Sequence, residues 1–90
     1  MTATKTWTVD IRLDEHPETR YTRAEAHLHS GEMADIRGVG VSSRNPRDPE
    51  IPEIGDELAV ARALVDLAEN LRRTAATSIE GATTEGSHGW

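Results

Sequence analysis

The sequence predicts an α+β fold: a three-stranded antiparallel sheet covered on one face by a single C-terminal helix, in the order β-β-β-α. Three observations predict it. Residues Ile51 to Leu71 carry the amphipathic periodicity of a helix, two stretches before residue 30 alternate apolar with polar side chains, and three prolines between Arg44 and Pro52 separate strands from helix.

The first strand is read from Thr4 to Leu13, with Trp7, Val9, Ile11 and Leu13 turned to the core and Thr6, Thr8, Asp10 and Arg12 turned away. The polar run from Asp14 to Arg20 contains Pro17, which pushes His16 to extended geometry and suits a surface turn. A second strand follows from Tyr21 to His29. Its inward row of Thr22, Ala24, Ala26 and Leu28 is small, so something must pack close against it. Ser30, Gly31 and Glu32 form a tight connection into a third strand, Met33 to Ser43. Ile36 is out of phase with Val39 and Val41, which predicts a bulge or bend near Gly38. RNPRDPEIP, Arg44 to Pro52, has too many prolines for a sheet interior and reads as an ordered crossover.

On the helix, Leu58, Ala61, Leu64, Val65, Ala68 and Leu71 fall on one side, and Arg62, Asp66, Glu69, Asn70 and Arg73 on the other. The first group is expected to cover the sheet. Gly55 or Asp56 is read as the cap, with Asp56 and Glu57 at the positive end of the dipole and Arg72 and Arg73 toward the negative end. Periodicity fades after Arg73, so fraying is expected by about Gly81, dividing the chain into a domain over 1–80 and a mobile tail over 81–90.

Composition narrows function. Ninety residues with 36% hydrophobic side chains support one thin core, and with no Phe and only Trp7, Tyr21 and Trp90 as aromatics that core rests on Val, Ile, Leu and Ala. The formal net charge of −6 opposes a phosphate backbone at long range. The absence of cysteine removes disulfides, thiolate metal sites and a cysteine nucleophile. With no signal-like or membrane-length apolar run, the expected location is cytoplasmic.

The run Gly38 to Ala68, GVGVSSRNPRDPEIPEIGDELAVARALVDLA, resembles the small actinobacterial proteins grouped as the domain of unknown function numbered 1876. In that family a Gly-x-Gly strand, an Arg-Asn-Pro-x-Asp loop and an Ile-Gly-Asp-Glu-Leu-Ala helix start follow one another, and the Trp7-x-Val9-x-Ile11 strand fits as well. The resemblance implies a fold similar to the double-stranded-RNA-binding domain with its first helix absent, and it implies no activity. RNA-binding members of that wider fold carry lysines at the start of the final helix, whereas Gly55, Asp56 and Glu57 stand there in this chain. Two carboxylates at that end repel RNA.

Two groups of side chains invite a chemical reading. Arg44, Asn45, Arg47 and Asp48 place two guanidiniums on a proline-stiffened loop that could recognise a carboxylate or phosphate; alternatively Asp48 pairs with an arginine and Asn45 shapes the turn. His27 and His29, two apart on a strand, share a face and become weak candidates for Zn²⁺ or Ni²⁺ if Glu25 or His16 supplies a third ligand; otherwise they are solvated histidines. Gly38-x-Gly40 lacks the following helix that a phosphate cradle needs, so close backbone approach or a bulge accounts for it. The acids from Asp48 to Glu57 lack the spacing of a calcium loop, and no nucleophile, acid–base pair or cofactor fingerprint emerges. Neither a cofactor nor an enzymatic activity is expected.

Val60 and Leu67 widen the apolar arc of the helix beyond what one sheet face requires; the excess either wraps the edge of the sheet or forms a subunit interface, of a homodimer or something larger. The expectation is a non-enzymatic protein-interaction or regulatory module, with the open sheet face and the Arg44 to Pro52 loop as contact surfaces. A nucleic-acid-binding module is the alternative, based on the fold resemblance and on Arg12, Arg20, Arg23, Arg37, Arg44 and Arg47.

Overall fold

The computed structural model describes residues 1–31, 35–43 and 51–86, the side chains of 52 and 82–86 excepted. Strands β1 (Thr8–His16), β2 (Tyr21–His29) and β3 (Ile36–Ser43) precede one helix, α1 (Pro52–Gly86). The strands form an antiparallel meander in the order β1-β2-β3, and the helix lies across one face. This is the predicted α+β architecture.

β1 is displaced from its expected position: it begins at Thr8 rather than Thr4 and continues through Asp14, Glu15 and His16. Pairing decides this, since a register from Thr8↔His29 to His16↔Tyr21 gives those polar residues a hydrogen-bonding partner strand that alternation alone does not show. Pro17 follows the last pair and opens the turn, in which Thr19 N–H donates to His16 O at 3.2 Å and Arg20 N–H to Pro17 O at 3.2 Å. Arg20 closes the hairpin in the left-handed region, φ 55°.

β3 contains no bulge. Its register with β2 is unbroken from Tyr21↔Ser43 to Leu28↔Ile36, and burial alternates residue by residue. The inward row is Ile36, Gly38, Gly40 and Ser42, which leaves Val39 and Val41 on the open face. Ile36 is thus in phase with the two glycines. Counting only large apolar residues as core hid that row.

The glycines face inward because the helix backbone rests on them. A Cβ on Gly38 would lie 2.3 Å from Ala63 O and Leu67 N, and one on Gly40 2.3 Å from Ala59 O and Ala63 N. Only glycine permits that approach. The helix answers with its own small residues: Ala59 and Ala63 are fully buried, and with Leu67, Ala24, Ala26, Leu28 and Ile36 they make up the core. The buried face is therefore not the expected one. Leu58, Leu64 and Val65 are exposed, since the helix turns its Ala59, Ala63 and Leu67 face to the glycine seat and leaves them on the flank and far side.

The polar side of the helix is not simply solvated. Arg62 Nη1 donates to Val41 O at 2.7 Å, Val39 N–H donates to Asp66 Oδ2 at 2.9 Å, and Asn70 Nδ2 donates to Arg37 O at 2.6 Å. Helix residues four apart rise about 6.0 Å and strand residues two apart about 6.6 Å, so the two ladders stay in step along the edge of β3. Three backbone groups of that edge are thus taken up by helix side chains.

At its N-terminus the helix starts at Pro52, an unstrained first helical position, with Ile54 N–H donating to Ile51 O at 3.1 Å. Gly55 and Asp56 thus sit inside the helix rather than capping it. The helix continues past Gly81 to Gly86. No helix among the described residues is long and apolar enough to cross a membrane.

Candidate functional site

The sheet face away from the helix carries Asp10, Arg12, Asp14, Arg23, Glu25, His27, His29 and Arg37, and they pair with one another or with Asp35. Glu25 accepts from Arg37 at 3.3 Å and pairs with Arg23 at 3.6 Å, Arg12 pairs with Asp14 at 3.6 Å, and His29 Nε2 meets Asp10 Oδ2 at 2.7 Å. Asp35 is held by His27 and by Arg37, and those two, His27 foremost, keep its carboxyl below the usual aspartate range. The arginines of this face are already engaged by carboxylates.

His27 and His29 do stand side by side, ring centroids 4.2 Å apart. Their proposed third ligands do not join them. Glu25 is committed to arginines, and His16 stacks on Tyr21, with centroids 5.5 Å apart, at the other end of the strands. Each histidine directs Nε2 to an aspartate instead, and among the described residues no three His, Asp or Glu side chains converge as a metal set. Arg44, Asn45, Arg47 and Asp48 lie outside the described residues.

The feature that sequence reasoning missed is on the helix side. The helix packs on β3 and β2 and scarcely reaches β1. Register places Val9, Ile11 and Leu13 opposite Leu28, Ala26 and Ala24, so they share the core face, yet each is 40% exposed. Helical geometry turns Arg62, Asp66 and Asn70 toward the β3 edge, so Leu64 and Ala68 occupy the flank nearer β1, and Leu58 and Val65 point away from the sheet. Val65 is 64% exposed. The uncovered β1 row, the helix flank and the far side of the helix form one apolar band.

At the end of this band two acids meet. Glu15, next in the inward row after Leu13, lies beside Asp56 near the start of the helix, and that proximity, first to Asp56 and then to Glu53, raises the Glu15 carboxyl above its ordinary value. Close by, Ser42 Oγ donates to Gly55 O at 2.8 Å and ties the helix start to β3.

These features define a class: a small α+β module with an unfilled apolar face and, among the described residues, no catalytic grouping. The chain belongs to the Rv2632c-like family, whose model matches residues 5–88. It is 48% identical to the uncharacterized protein Mb1767 of Mycobacterium bovis over 77 residues, 86% of this chain and 79% of that protein. It is 43% identical to the uncharacterized protein Rv2632c of Mycobacterium tuberculosis over 79 residues, 88% of this chain and 82% of that protein. The crystal structure of Rv2632c superposes with a TM-score of 0.80 at 41% identity, covering 91% of this chain and 94% of that one. The relatives carry no assigned activity.

Proposed function

We propose that this chain is a non-enzymatic, cytoplasmic protein-interaction module whose contact surface is the apolar band of β1 and α1. One observation carries the reading: Val9, Ile11 and Leu13 alternate as a core row should, yet their own helix leaves them open. A row patterned for burial and left uncovered is completed by a partner. The wider resemblance, to the family numbered 1876 and to a double-stranded-RNA-binding fold without its first helix, forms part of the same proposal. The nucleic-acid alternative gains nothing from the site, because the arginines of the open face are bound to carboxylates and the helix start is acidic. Arg44, Asn45, Arg47 and Asp48 stay candidate contacts at the rim.

The test is recovery of the tagged chain from its native lysate, with light scattering and absorbance at two ultraviolet wavelengths. A protein complex heavier than 9.9 kDa, lost on Ile11→Asp or Val65→Asp, is expected. A 9.9 kDa species unaffected by either change would overturn the reading. A nuclease-sensitive peak would replace it with nucleic-acid binding.

A further inference from the structure

The two edges of the sheet are finished differently. Along β3, Arg62, Asp66 and Asn70 reach down from the helix and take up backbone groups. β1 has a neighbouring strand on one side only, and its residues from Thr8 to Leu13 are all exposed. It is 9 residues long, unbroken in its register with β2, and free of the proline and lysine that commonly blunt an edge. Its outer side is a template for another strand.

We propose that this edge pairs with the β1 of a second copy, antiparallel about a two-fold axis normal to the sheet at Ile11. The product is one continuous sheet in the order β3-β2-β1-β1-β2-β3. Such an axis keeps both helices on the same face, runs them antiparallel, and leaves each on its own β2 and β3. The proposal goes beyond the interaction reading, which concerns the apolar face of β1. Here the backbone edge is used, and the rows of Val9, Ile11 and Leu13, set side by side, become the floor between the two helices.

Charge selects both the occupant and the register. Centred on Ile11, the pairing sets Asp10 of each copy opposite Arg12 of the other on the open face, and Thr8 opposite Asp14. On the inner face Ile11 meets Ile11 and Val9 meets Leu13, so the apolar rows match along their length. The Asp10 and Arg12 side chains are 75% and 77% exposed, and their pairs with His29 and Asp14 leave carboxylate lone pairs and guanidinium donors free for the new contact. Neighbouring registers fit worse. Centring on Arg12 sets it against itself and Asp10 against Asp14, and centring on Asp10 sets that carboxylate against itself. Centring on Leu13 carries Glu15 onto Ile11 and Pro17 onto Val9, and centring on Val9 runs past Thr8, where β1 begins. A foreign strand would have to bring the same alternation of acid, base and apolar residues, which β1 supplies to itself.

The full chain, purified alone, tests this by light scattering at micromolar concentration, where the expected mass is about twice the 9.9 kDa chain. Asp10→Arg and Arg12→Asp each set like charges opposite one another twice. Each should raise the dissociation constant about tenfold with unchanged far-ultraviolet circular dichroism, and mixing the two variants should restore it. The chain has no cysteine, so Ile11→Cys carries a single thiol. It should crosslink to a dimer on oxidation, and Leu13→Cys, whose counterpart is Val9, should not. Val65→Asp, away from the edge, should leave the mass unchanged. A monomer, a dimer indifferent to both charge variants or lost on Val65→Asp, or crosslinking through Leu13→Cys in place of Ile11→Cys would overturn the strand pair. The interaction reading fails separately: a heterologous complex recovered from lysate and lost on Val65→Asp supports it with or without the strand pair, and the absence of that complex leaves the strand pair standing.

Discussion

Glu15 shows how a single side chain in this protein can be set against its own fold. Its carboxyl lies beside Asp56 and feels the charges of Asp56 and Glu53, so the folded state holds its proton more tightly than the unfolded chain does. A raised carboxyl destabilises the fold above the unfolded value, and the penalty is relieved as pH falls through the folded one. Asp35 behaves oppositely. Lowered by His27 and then Arg37, it contributes stability above the ordinary aspartate range that is lost as pH falls through its folded value. Glu15→Gln should therefore raise the melting temperature at neutral pH and leave it unchanged in acid below the carboxylate range. Thermal melts at the two pH values check this, and an equal gain at both would mean that charge is not the cause.

At the scale of elements, the seat of α1 on β3 decides which helix face is buried. Ala59 and Ala63 stack on Gly40 and Gly38 so closely that backbone meets backbone, and Arg62, Asp66 and Asn70 lock the same register along the strand edge. Gly40→Ala would drive a methyl to 2.3 Å from Ala59 O and Ala63 N, atoms that cannot turn aside as a flexible side chain could. The helix must lift, and the expected cost is about 3 kcal/mol or more. Urea unfolding measures it, and a loss below about 1 kcal/mol would show that the helix is not seated this way.

The whole molecule has little core of its own. Among the described residues no large side chain is fully buried, and the inward row of the edge strand β1 is open. If a second copy is what covers that row, stability should rise with protein concentration, because the assembly buries what the single chain leaves in water. A tenfold increase in concentration favours the folded dimer by about 1.4 kcal/mol, which raises the melting temperature by about 3–6 °C for an assembly of this size. Scanning calorimetry across two decades of concentration reads the shift directly. A constant midpoint would identify a monomer as the folding unit.

The amino-acid sequence by itself determined the element order, the limits of β2, the single long helix and the small inward row of β2 that calls for a close neighbour. These are consequences of local period, prolines and side-chain size, all properties of short stretches. The Gly38-x-Gly40 spacing left close backbone approach and a bulge both open, and only the structure chose the first. Only the tertiary structure decided which face of the helix meets the sheet, and it chose Ala59, Ala63 and Leu67 over the more apolar Leu58, Leu64 and Val65 face. Depth of packing outweighs hydrophobicity when the opposite surface is glycine. The same decision moved the helix off β1, so that Val9, Ile11 and Leu13, placed correctly on the inner face by their alternation, were left exposed. How far a helix of one width reaches across three strands is a matter of geometry between elements, and no pattern within β1 records it.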